Sequence, residues 1–266
     1  MSARSWLAAV AAAAVAAVCA AAMVSPAASA SAQLPHQAGV RKVTSPDWAG
    51  YAALADKGTR FRYIAADFDF AGPGCPLPDS PDQGGGASEW IGLDGYGHNH
   101  GPAEQIGLWV DCGPDHISYG AFYHGASGGR TFLSCTIGGC ANTPNFGDRI
   151  NLSIYFNGKS YRFTYDDVTM KVVRKFYLSC RKCRNLNGSA EVITQVGGSG
   201  GYSPGGYTVN FFGIRVTSAA GLHGTVAPQP RRWTTNEISL VDPAGINGAT
   251  PSALLRRGRA FHVVAW

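Results

Sequence analysis

Between positions 150 and 165 the chain alternates strictly. Ile150, Leu152, Ile154 and Phe156 interleave with Asn151, Ser153 and Tyr155, and after Asn157-Gly158 come Tyr161, Phe163 and Tyr165 at the same period. A period of two with a two-residue Asn-Gly break is a β-hairpin with one face buried; no helix can present that pattern. Similar runs recur at 60–70, 168–178, 190–196, 207–216, 236–241 and 261–266. Phe61 and Tyr63 share one parity while Phe68 and Phe70 share the other, which places a β-bulge near Ala65-Ala66. Gly- and Pro-rich breakers separate the runs, at 81–86 and 197–206 for example. Ten or more strands without helix signals make an all-β sandwich or barrel, and residues 46–266 read as one domain without internal repeats.

The composition agrees. Hydrophobic residues are 45% of the 266 and charged residues 15%, enough apolar mass for a large core and too little charge for a disordered chain. The formal charge of +5 includes no Lys/Arg block, so nucleic-acid binding has no support in the pattern.

The first 32 residues are set apart. Arg4 precedes an apolar run from Leu7 to Met23, and Ala28-Ser29-Ala30-Ser31-Ala32 offers small-residue cleavage sites. This is the pattern of a secretory signal peptide cut after Ala32; the alternative, a membrane anchor, fits the small-residue exit less well. A secreted, extracellular protein is expected, with no membrane contact after cleavage and a monomeric state. Residues 33–45 read as a loose leader or pro-segment remnant.

Beyond the signal remain Cys75, Cys112, Cys135, Cys140, Cys180 and Cys183. An even count in an exported chain points to disulfides. The shortest pairing joins Cys135 to Cys140, Cys180 to Cys183 and Cys75 to Cys112, one of fifteen possibilities. The rival is a zinc site built from the last four. His98 and His100 could also hold a metal on one face of an extended segment, but a solvated polar loop is the plainer reading. No metal or other cofactor is expected.

No His-Glu-x-x-His pair or phosphate-cradling loop before a helix is present. More specific are Asp47-Trp48-Ala49-Gly50-Tyr51, then Trp90-Ile91-Gly92-Leu93-Asp94-Gly95, Gln105-Ile106-Gly107, Tyr119-Gly120-Ala121-Phe122-Tyr123, and Ser189-Ala190-Glu191-Val192-Ile193-Thr194-Gln195. In order and spacing these resemble the motifs of the eqolisins, the glutamic peptidases. The resemblance implies a two-sheet antiparallel β-sandwich of lectin/glucanase (concanavalin A-like) type, and endopeptidase action on polypeptides at acid pH. A glutamate would act as general base on a water, with a glutamine stabilising the oxyanion.

Carried over by position, Gln105 matches the catalytic glutamine. The catalytic glutamate, taken as the last residue of the Ala-Glu-x-Ile-x-Glu motif, falls on Gln195, and a glutamate lining the cleft falls on His124. A carboxamide cannot act as a base. Glu191 shares a strand face with Gln195 but stands roughly 13 Å from it at about 3.3 Å per residue, so it is read as a companion or a cross-strand polar contact. On this reading the two amides Gln105 and Gln195 meet across the sheet. Gln105, Gly107 and Trp109 face the cleft, while Ile106, Leu108 and Val110 face the core.

Trp48, Trp90, Asp94, Tyr119, Tyr123 and His124 are the candidate substrate contacts. For Asp94 a turn role before Gly95 is the alternative, and for Trp90 a core role. Two functions follow: an acid peptidase recruiting a base such as Glu191 or Asp94, or an inactive relative that binds peptide or glycan through Trp90, Trp109, Tyr119 and Tyr123. A glycoside hydrolase would need paired carboxylates, for which Asp67 and Asp69 offer no supporting motif.

Overall fold

A computed structural model of the chain describes residues 39–72, 74–75, 85–96, 104–113, 117–125, 128–132, 144–180, 187–197 and 206–266. The signal segment, His98, His100, Cys135, Cys140 and Cys183 lie outside the described residues.

The hairpin expected from the alternation is present. β8 (Arg149–Phe156) and β9 (Ser160–Asp167) pair in continuous register from Ile150↔Asp167 to Phe156↔Tyr161. Its turn is displaced by one residue: Asn157 N–H donates to the Ser160 carbonyl at 3.1 Å, leaving Gly158 and Lys159 as the central pair, with Gly158 at φ 94°. The Asn157 side chain accepts from the Lys159 and Ser160 amides at 2.9 and 2.8 Å, so Asn157 flanks the turn and glycine takes the left-handed conformation.

Every described strand joins one hydrogen-bonded sheet that folds onto itself. One half runs β10 (Val172–Ser179), β9, β8, β3 (Phe61–Asp69), β12 (Tyr207–Ser218) and β16 (Phe261–Ala265). Through β15 (Asn247–Pro251) and β14 (Trp233–Val241) the path reaches the other half: β2 (Trp48–Ala55), β11 (Ser189–Val196), β4 (Gly85–Leu93), β5 (Glu104–Cys112), β6 (Ile117–Gly125) and β7 (Gly128–Phe132). The pairings on this path are antiparallel, and β13 (His223–Gly224) adds to β12. This is the two-layer all-β sandwich that the sequence implied.

The core lies between the halves. Ile64, Phe68, Ile150, Leu152, Ile154 and Phe163 from one meet Ile91, Leu93, Ile106, Leu108, Val110 and Val192 from the other. The alternation on β5 therefore has the expected phase. A smaller cluster of Ala52, Trp90, Phe122, Ile193 and Ile238 forms on the opposite face of the second half, with Val43, Trp48, Tyr96 and Trp109 against it.

Two expectations are corrected. Residues 40–45 are not a loose leader: β1 (Val40–Ser45) pairs in parallel with Thr235–Leu240 of β14, and Val43 reaches the smaller cluster. The bulge near Ala65-Ala66 is also absent from β3, which stays in register with β8 from Tyr63 to Asp69. The phase slip arises at Arg62 instead, where Tyr63 and Phe61 oppose the consecutive residues Thr217 and Ser218. A second irregularity lies in β12 between Phe212 and Arg215, where Gly213 adopts φ 61°.

Cys75 and Cys112 form a disulfide with Cα atoms 5.5 Å apart. Cys180 is also disulfide-bonded. Among the described residues no group of acids, histidines and cysteines could hold a metal ion, and no helix is long and apolar enough to cross a membrane.

Candidate active site

The face of β4 turned away from the core is built from Ser88, Trp90 and Gly92, and its neighbours align with these three in straight cross-strand rows. Directly paired residues on adjacent strands point to the same face. One row reads His124–Gln105–Gly92–Glu191–Ala52–Asn236 across β6, β5, β4, β11, β2 and β14. The next reads Phe122–Gly107–Trp90–Ile193–Gly50–Ile238, and the third Gly120–Trp109–Ser88–Gln195–Trp48.

The register therefore brings Gln105 and Glu191 to opposite sides of Gly92. Two strand spacings separate their backbones by about 10 Å, a gap that two side chains, a water and a carbonyl group can fill. Gln195 does not meet Gln105: it lies in the third row, opposite Ser88 and Trp48. The expected meeting of the two amides is replaced by an amide facing an acid.

Gly92 is what makes room for that acid. A Cβ on residue 92 would come within 2.6 Å of Glu191 Oε2 and 2.9 Å of the Trp90 ring. Gly107 is similarly filled, since a Cβ there would lie 2.6 Å from Trp90 Cβ and 3.0 Å from the Phe122 ring. Small residues alternate with Trp90 and Glu191 so that the large side chains lie flat over their neighbours' backbones.

Glu191 is fully buried and neither carboxylate oxygen has a hydrogen bond of good geometry. Burial pushes its pKa well above the ordinary carboxylate range; the Ser189 hydroxyl pulls the other way, and the charges of Asp94 and Glu104 push it further up. Gln105 is nearly buried, at 8% exposure.

Asp94 follows β4 at φ 67°, and Gly95 comes next at φ 97°. Its Oδ1 accepts from Gly188 N–H at 3.3 Å and its own N–H donates to the Ser189 carbonyl at 3.0 Å. It therefore holds the 94–96 turn against the start of β11. The turn carries Tyr96, whose hydroxyl accepts from Asn236 Nδ2 at 3.1 Å and whose ring lies 6.0 Å from Trp48. Trp48 in turn meets Trp90 edge-on at 5.1 Å. Between this aromatic group and β1 runs a groove of about 1180 Å³, lined by Val43, Trp48, Asp94, Tyr96 and Asn236 among others. Tyr96, Asn236 and Gly92 were missed from the sequence; the alternation of Gly with Trp in Trp90-Ile91-Gly92 was the available signal.

Tyr119 and Tyr123 are not on this face. Tyr123 stacks on Phe176 at 5.0 Å and lies 5.5 Å from Phe163, and Tyr119 packs on Phe146 and Phe70, all on the core side. β6 directs Phe122 and His124 to the site instead, so the tyrosines are a correction to the expected substrate contacts. Trp48, Trp90 and His124 do share the face with Gln105.

Comparison with solved structures identifies the architecture. SCP-B, described as a member of the eqolisin family of peptidases and solved in a complex with the tripeptide Ala-Ile-His, superposes with a TM-score of 0.59 at 17% identity, covering 84% of this chain and 99% of that one. The chain has the eqolisin fold. Scytalido-glutamic peptidase with a transition-state analog inhibitor gives a TM-score of 0.58 at 17% identity over the same shares. Aspergilloglutamic peptidase from Aspergillus niger gives 0.50 at 19% identity, covering 68% of this chain and 99% of that one. No protein-family model and no curated protein matches the sequence. Within this eqolisin-like sandwich, the Gln105–Gly92–Glu191 row sits on the half-sheet face away from the core, beside the groove.

Proposed function

We propose that the protein is a secreted peptidase of the glutamic type in which Glu191 and Gln105 are the reacting pair, with Gln195 outside it. The observation that carries this reading is the shared register with Gly92: a carboxylate able to take a proton and a carboxamide able to donate a hydrogen bond lie in one cross-strand row, with no Cβ on the strand between them.

The chemistry follows from the two groups. Ionised Glu191 takes a proton from a water, whose oxygen attacks the scissile carbonyl carbon. The Gln105 amide donates to the oxyanion that develops. The tetrahedral species collapses as the proton held by Glu191 passes to the leaving nitrogen and the C–N bond breaks. A carboxylate whose pKa is raised by burial is a stronger base once ionised than an exposed one. Trp90 walls the pair on one side, and the groove edged by Trp48, Tyr96 and β1 accommodates an extended polypeptide. The disulfide Cys75–Cys112 fits an oxidising, extracellular setting.

The test is cleavage of an unfolded protein substrate by the purified mature chain between pH 2 and 7, beside Gln105→Ala. The expected result is proteolysis that falls by about 10²–10³-fold in the variant, as for loss of one oxyanion donor. No cleavage at any pH, with retained binding of peptides, would transfer the protein to the class of non-catalytic peptide-binding sandwiches.

A further inference from the structure

On the far side of the molecule, the outward face of the other half-sheet carries a different row. Tyr177, Arg162, Tyr155, Tyr63, Thr217 and His223 lie side by side across β10, β9, β8, β3, β12 and β13. At strand spacing this row is about 24 Å long. Three tyrosines and one arginine lie in it, and the Arg162 guanidinium lies 5.4 Å from the centre of the Tyr155 ring. The irregularity at Arg62 adds a further cation: Phe61 turns into the core, while Arg62 and Tyr63, consecutive in sequence, both line the outer surface.

Two cavities adjoin along the row. One, of about 490 Å³, is lined by Arg62, Arg215, Arg259 and His223 with Tyr63 and Tyr155. The other, of about 560 Å³, shares Arg62 and Tyr155 and adds Arg60, Lys159 and Asn157. No acidic side chain lines either cavity. Asp67 and Asp166 do lie on this face, but four residues along their strands from Tyr63 and Arg162, where Asp67 engages Arg149 and Asn151. Arg62, Arg215 and Arg259 around the first cavity repel one another, and an anion entering it relieves that repulsion.

We propose that this face is a binding site for an acidic polysaccharide, one bearing sulfate or carboxylate groups on a linear chain. Guanidinium forks match sulfate and carboxylate oxygens in pairs. The hydroxyls of Tyr63 and Tyr155 supply hydrogen-bond partners that a sugar ring requires. Two cavities sharing one wall suit successive residues of a linear ligand. Against nucleic acid, the Tyr155 ring already has a guanidinium over it, and disulfides at Cys75–Cys112 and Cys180 fit an extracellular setting, where glycans are the prevalent polyanions. The site lies apart from Gln105 and Glu191 and does not depend on the peptidase reading; it would tether the protein to an acidic matrix.

The experiment is titration of the full mature protein with dextran sulfate, polygalacturonate, neutral dextran and a single-stranded DNA oligonucleotide, at two salt concentrations. Dextran sulfate or polygalacturonate is expected to bind, more weakly at the higher salt, with neutral dextran inert; whichever of the two binds tighter identifies sulfate or carboxylate as the recognised group. The combined variant Arg62→Gln/Arg215→Gln/Arg259→Gln should lose at least tenfold in affinity with an unchanged melting temperature. Lys171→Gln/Arg174→Gln/Lys175→Gln removes the same charge from β10 and the turn before it, and should lose less than threefold. Equal losses in the two variants, tighter binding of DNA than of either glycan, or no glycan binding at low salt would overturn the proposal.

Discussion

Glu191 Oε2 lies 2.6 Å from the point where a Cβ on residue 92 would stand. Carboxylate and glycine are thus one packing unit: the acid reaches the face it shares with Gln105 because β4 offers no side chain there. Gly92→Ala should push the carboxylate aside or force the strands apart. A misplacement of about 1 Å costs on the order of 10²-fold in rate. Peptide cleavage measured with the circular dichroism spectrum retained is the check, and wild-type activity in this variant would contradict the geometry.

The pH dependence follows from the surroundings of Glu191. As a base it must be ionised, so kcat/KM should rise with pH along a limb set above the ordinary glutamate value of about 4.3. Removing the Ser189 hydroxyl, which favours the ionised form, should move that limb up in Ser189→Ala. Asp94→Asn removes a charge that disfavours it and should move the limb down. Shifts in the same direction, or none, would separate Glu191 from the rate.

Glu89 gives a stability prediction on the core side of β4. Burial raises its pKa to about 8, and neither oxygen has a hydrogen-bond partner. A carboxyl held protonated in the folded state contributes fully below its unfolded pKa; that contribution is lost as pH rises from about 4.3 to about 8, at up to about 1.4 kcal/mol per pH unit. Glu89→Gln should flatten the curve, leaving the variant more stable than the wild type at pH 7 and little different at pH 4. Urea unfolding at the two pH values measures this.

The Cys75–Cys112 disulfide closes a sequence separation of 37 residues. In the chain-entropy account such a link contributes about 4 kcal/mol. The double variant Cys75→Ala/Cys112→Ala should therefore unfold at clearly lower denaturant concentration than the native protein, with the sandwich retained at low temperature.

The layers of the fold were legible because alternation is local. Ile150 to Tyr165 declares which side chains are buried, and Ile106, Leu108 and Val110 declare which face of β5 is core, whatever the strands pair with. Register is not local. Whether Gln105 faces Glu191 or Gln195 depends on how β4 aligns with both β5 and β11, and the Gly-rich stretches that join strands carry no trace of that alignment. Hence the motifs alone set Gln105 against Gln195, whereas the register puts Glu191, four residues earlier on β11, across Gly92 from it. Tyr119 and Tyr123 were misassigned for a similar reason: aromatic residues suit both a ligand cleft and a core, and only the phase of β6 against Phe163 and Phe176 separates the two. Arg62, with Phe61 and Tyr63 on either side, shows a phase slip visible in sequence but locatable only once β12 is in place.

The most direct measurement compares two substitutions on one strand: kcat/KM for an unfolded protein substrate in Glu191→Gln and in Gln195→Ala. The account expects Glu191→Gln to lose at least about 10³-fold, the scale of removing an essential base, and Gln195→Ala to stay within a fewfold of the wild type. Full activity in Glu191→Gln, or loss confined to Gln195→Ala, would contradict it.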